Sequence, residues 1–149
     1  MLECAHAGQP VAIAAPTVME VVRGVQAIAA REPRPIGDRL APALAWLVRL
    51  VASDLVEILS LDRPSAILAG RLRATHPIPP TGVPRKGVKP EQRAGWVLDI
   101  QIAACAWTHG RDIATENRHD FEVLRGLIAQ LYPNTTRLGV TPSPLPSSD

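Results

Sequence analysis

The segment from Trp96 to Phe121 leaves this chain few ways to fold. Trp96-Val-Leu-Asp99-Ile-Gln-Ile-Ala103-Ala-Cys-Ala106-Trp-Thr-His-Gly110 reads as an apolar helix carrying one acid. Gly110 supplies the left-handed residue that closes a helix. Arg111-Asp-Ile-Ala-Thr115 then reads as a short buried strand ending in threonine, and Asn117 opens a second helix with Asp120 one turn in. On this reading Asp99 stands in a first helical turn, where the helix dipole favours a carboxylate. A helix start and a strand end can bring Asp99 and Asp120 together. Paired carboxylates are what a hard divalent cation needs.

The rest of the chain continues the alternation. Val11–Ala15, bounded by Gly8, Pro10 and Pro16, is a buried-strand candidate. Thr17 can cap a helix over 18–30, with Glu20 as its capping-box partner. Pro33 and Pro35 end that helix, and Asp38 can cap the next, over about 40–53, where Leu40, Leu44, Leu47, Val48 and Val51 recur at helical spacing. Leu55–Ser60 is a second strand, residues 62–75 a helix with Pro64 at its first position, and Thr135–Val140 a last strand. Strands alternating with helices predict an α/β fold, a parallel sheet flanked by helices on both faces. Five prolines between His76 and Glu91 forbid helix and central strand there, so that interval is a loop, and it carries Arg85, Lys86 and Lys89. The domain spans 1–140, with 141–149 a disordered tail.

Composition narrows the function classes. With 149 residues and 46% of them hydrophobic, the chain is one domain with room for a core. No apolar run reaches membrane-span length, and the start lacks the features of a signal peptide, so a soluble cytoplasmic protein is expected. Cys4 and Cys105 have no metal-type spacing and read as reduced thiols. The net charge of +2 does not by itself argue for nucleic acid. Fourteen arginines stand against two lysines, which suits phosphate oxygens but also follows from genome base composition.

Two segments resemble the carboxy-terminal half of PIN-domain nucleases, especially the VapC-type toxins of bacterial toxin–antitoxin pairs. Asp99-Ile-Gln-Ile-Ala-Ala-Cys-Ala106 matches that family's "D-x-x-I-A-A-x-A" helix, and Thr115-Glu-Asn117-Arg-His-Asp120-Phe121 its "T-x-N-x-x-D-F" segment. Upstream, Gly8 to Gly24 is similar to the family's second strand and the helix after it, with Thr17 followed by Glu20-Val-Val-Arg-Gly24 as "E-x-x-x-G". The resemblance implies a three-layer PIN-like fold. It implies that Glu20, Asp99 and Asp120 are the second, third and fourth acids of a Mg2+ (or Mn2+) site, with Thr115 and Asn117 as supporting polar residues. It further implies the toxin component of a type II toxin–antitoxin system: an endoribonuclease, homodimeric, silenced by a cognate antitoxin. Arg111, Arg118, Arg85 and Lys86 are the first candidates to grip RNA phosphates, contacts that give affinity without sequence choice.

The family's first strand, which ends in its first Asp and lies mid-sheet between the strands here at Val11–Ala15 and Asp112–Thr115, has no counterpart before Glu20. The expectation is therefore a PIN-like fold lacking its first, central strand, either through a misplaced start or as a degenerate toxin. An inactive or truncated PIN-like module that binds antitoxin or nucleic acid without cutting is the alternative. Plainer readings stand beside each acid. Glu20 can serve only a capping box, Asn117 and Asp120 only a cap, and Asp99 only the dipole. His109 belongs to a helix end, His119 to solvent, and His6 and His76 lack partners at ligand spacing. Trp46, Trp96 and Trp107 are too scattered for a base-stacking platform and read as core or interface.

Overall fold

The computed structural model describes residues 10–31, 34–80 and 87–143, residues 34–39 by their backbone alone. They form an α/β chain divided into two units, Met1–Leu59 and Ser60–Asp149. Among the described residues no helix is long and apolar enough to cross a membrane.

In the first unit, β1 (Val11–Ala14) runs directly into α1 (Ala15–Arg31), followed by α2 (Arg34–Val51) and β2 (Val56–Leu59). The two strands are parallel, with Val11 opposite Val56 and Ala14 opposite Leu59. A parallel pair needs a long crossover, and here the α1–α2 helical hairpin supplies it. Helix α1 starts earlier than Thr17: Pro16 fits a first turn, where its missing N–H is no loss. Thr17 therefore lies inside the helix and caps nothing, which removes the capping-box reading of Glu20. Likewise α2 begins at Arg34, with Pro35 in its first turn, so Asp38 is not its cap and Pro42 lies inside it. Trp46 is 55% exposed rather than in the core.

In the second unit, α3 (Arg63–Thr75), α4 (Pro90–Thr108), β3 (Ile113–Thr115), α5 (Arg118–Leu131) and β4 (Val140–Pro142) follow in order. Asp62 caps α3 through its carboxylate, which accepts the Ser65 N–H at 3.0 Å, and Pro64 sits in the first turn. Helix α4 opens at Pro90, where the Gln92 side chain accepts the Lys89 N–H at 3.0 Å. It ends at Thr108, and beyond its cap the φ of 66° at Gly110 lets Arg111 donate back to the Ala106 carbonyl at 2.8 Å, a Schellman closure. Strands β3 and β4 are parallel, Ile113 opposite Val140, joined across α5. The core gathers Leu68 and Leu72 from α3, Trp96, Ile100, Ala103, Ala104 and Ala106 from α4, Ile113, and Phe121, Leu124 and Ile128 from α5, closed by Leu138. Small residues along α4 let its neighbours approach closely, and the Trp96 indole N–H donates to the His76 carbonyl at 2.7 Å. Burial pushes the Cys105 thiol up, so it behaves as a core residue.

Parallel pairing is as expected, and the strands form two pairs rather than one continuous sheet, as the lack of a strand between β1 and β3 would leave them. They pair two and two, β1 with β2 and β3 with β4, and among the described residues β1 and β3 each have one strand neighbour. The last strand is shifted past Thr135–Gly139 to Val140–Pro142, so part of the expected disordered tail is strand. Residues 144–149, Cys4, His6, Arg85 and Lys86 lie outside the described residues.

Candidate acidic site in the second unit

Asp99 comes from α4 and Asp120 from the first turn of α5. Asn117 is the α5 N-cap residue, yet its side chain makes no capping bond. Its amide instead donates toward Asp99 Oδ2 at 3.4 Å and to Asp120 Oδ2 at 3.1 Å. The backbone supports this aim: the Asn117 N–H donates to Thr115 Oγ1 at 3.1 Å, turning the chain from β3 into α5 and fixing where Asn117 points. Thr115, Asn117, Asp99 and Asp120 thus form one linked cluster.

The two acids owe their positions to different causes. Asp120 is 7% exposed and lies at the third position of α5, where free helical N–H groups favour a carboxylate. Asp99 is not in a first turn. Because α4 begins at Pro90, Asp99 is mid-helix and receives no help from the dipole. Burial first, and the Asp120 charge second, raise its pKa from an ordinary 3.8 to about 6. A half-buried carboxylate with a second acid beside it favours a positive charge nearby. Two neighbouring carboxylates are a donor set that Mg2+ or Mn2+ commonly takes, with waters completing its shell.

Glu20 belongs to the first unit, where its carboxylate accepts from Arg23 Nε at 2.9 Å and Nη2 at 2.6 Å. Among the described residues no group of three or more His, Cys, Asp and Glu side chains is arranged to hold a metal. Arg118 opens α5 directly after Asn117 and is exposed. Arg111 lies elsewhere, ahead of β3, beside a cleft. His109 caps α4, its Nε2 3.1 Å from the Ser60 carbonyl and 3.7 Å from Asp62, and takes no part in the cluster. Sequence reasoning missed Asp112, whose carboxylate accepts the Gly139 N–H at 3.1 Å, and the Trp107–Tyr132 stack. Only an acid ahead of a strand hinted at the first, and nothing local at the second.

Comparison with protein families, with curated proteins and with solved structures finds no match to this chain.

Proposed function

We propose that the protein is a metal-dependent endoribonuclease of the PIN-domain, VapC type, the toxin of a type II toxin–antitoxin pair. The observation that carries this reading is the convergence of Asp99 and Asp120 on the Asn117 amide. On this reading Asp99 and Asp120 hold Mg2+ or Mn2+, with Glu20, the second acid of the resemblance, as a further ligand. The cation, when bound, activates a water and neutralises charge on the phosphate. The chain's own residues do the rest. Asn117 keeps both carboxylates turned to one point, and Thr115 fixes Asn117. Arg118 lies close in sequence for holding an RNA phosphate, with Arg111, Arg85 and Lys86 as further basic candidates. A three-layer PIN-like arrangement, a homodimer and a cognate antitoxin belong to the same proposal.

A non-cleaving PIN-like module that binds antitoxin or nucleic acid is the second reading. It is favoured by the lack of a third acid grouped with Asp99 and Asp120 among the described residues. Cleavage of labelled RNA in Mg2+ or Mn2+, with EDTA and D99N as controls, separates the two. The nuclease reading expects cleavage that both controls abolish. Uncut RNA under every metal condition leaves the binding module, and cleavage by D99N equal to wild type contradicts the assigned site.

A further inference from the structure

A cleft of about 620 Å³ opens in the second unit, lined in part by Trp107, Arg111, Asp112, Thr136, Arg137 and Leu138. Its place follows from strand direction. Thr115, Asn117 and Asp120 come after β3, whereas Arg111 and Asp112 precede β3, and Arg137 and Leu138 precede the parallel β4. The cleft and the acidic cluster therefore sit at opposite ends of the β3–β4 pair. We propose that this cleft is a second ligand site, one that takes a phosphate monoester bearing a planar ring, of 5′-mononucleotide size. The inference is independent of the nuclease reading.

Three observations support it. The volume lies in the range of about 300–1,000 Å³ common to small-molecule sites. The charge favours a phosphate: Arg137 lines the cleft together with Arg111, which is itself engaged, against one carboxylate, Asp112, which accepts the Gly139 N–H. Arg137 is exposed and pairs with no carboxylate among the described residues. Guanidinium forks match phosphate oxygens in a bidentate manner. The third observation is a wall fixed in advance. The Trp107 indole N–H donates to the Thr136 carbonyl at 2.9 Å, and the indole stacks on Tyr132 with centroids 4.9 Å apart. Tyr132 is itself held by Arg71, which donates to its hydroxyl at 2.8 Å. Leu138 also lines the cleft. A wall that need not be ordered on binding favours a flat, rigid ligand group.

The test is titration of the full chain with AMP and, separately, with inorganic phosphate, following the tryptophan indole N–H resonances by NMR. EDTA is present so that no cation draws the nucleotide to the acidic cluster, and W107F assigns the Trp107 signal. The expected result is a saturable AMP-induced shift of Trp107 with Trp46 and Trp96 unmoved, weaker binding of phosphate, and unchanged AMP affinity in D99N. Loss of one charge-assisted contact in R137Q should weaken AMP by roughly tenfold or more. Arg137 is exposed, so R137Q leaves the core intact. An unmoved Trp107 signal at millimolar AMP would overturn the proposal. So would undiminished affinity in R137Q, loss of AMP binding in D99N, or phosphate binding as tightly as AMP.

Discussion

Asp99 and Asp120, on different helices, meet at one amide donor, the Nδ2 of Asn117, 3.4 Å from the first and 3.1 Å from the second. The two acids share that donor, and burial first, with the Asp120 charge second, lets Asp99 hold its proton up to about pH 6. That behaviour has a stability consequence whose sign is fixed. Asp99 binds a proton more tightly folded than unfolded, so its contribution is full below about pH 4 and is lost as pH rises through about 6, a change on the order of 2 kcal/mol once solvent screening of this partly exposed group is allowed for. Melts without metal should show the protein more stable at about pH 5 than at about pH 7.5. D99N should flatten the difference, and an identical slope in D99N would assign it to other groups.

Gly139 lies in close contact with the Asp112 carboxylate. A Cβ there would fall 2.4 Å from the Asp112 carboxyl carbon, and moving that side chain aside breaks its bond to the Gly139 N–H. Gly139→Ala should therefore lose about 0.5–1 kcal/mol in denaturant unfolding, the worth of that one hydrogen bond. In a D112A background, where the obstacle is gone, the same change should be nearly neutral. Equal losses in both backgrounds would show that the clash is not the cause.

Ser65 ties the start of α3 to the end of α4. Its fully buried hydroxyl donates to Asp62 Oδ1 at 2.7 Å and lies 2.6 Å from Thr108 Oγ1. These bonds also hold the Asp62 carboxyl below the usual carboxylate range. Ser65→Ala leaves a buried gap and removes that link, so a loss of about 1–2 kcal/mol is expected. A wild-type unfolding midpoint for S65A would mean the cluster adds nothing to the packing of the two helices.

What the sequence disclosed, and what it hid, divides along the range of the signals. The succession α4, turn, β3, α5 is legible because Gly110 and Asn117 act through their own backbone neighbours. The pairing of Asp99 with Asp120 is legible for the same reason, since one short strand separates their helices. The position of Asp99 within its helix was misread. Pro90 counted as part of a breaker-rich loop, although a proline at a first helical position starts a helix. Pro16 misled in the same way and hid the true start of α1. Pairings across distance left no local mark: the Asp112–Gly139 clamp, and the Trp107 indole bound to Thr136.

The most direct measurement of the central claim is Mn2+ binding by electron paramagnetic resonance, comparing wild-type protein with D99N and D120N near neutral pH. The account predicts that wild-type protein depletes the free Mn2+ signal saturably and that each single variant weakens binding by roughly tenfold or more, the effect of deleting one charged ligand. Mn2+ held equally well by wild type and both variants, or by none of the three, would contradict it.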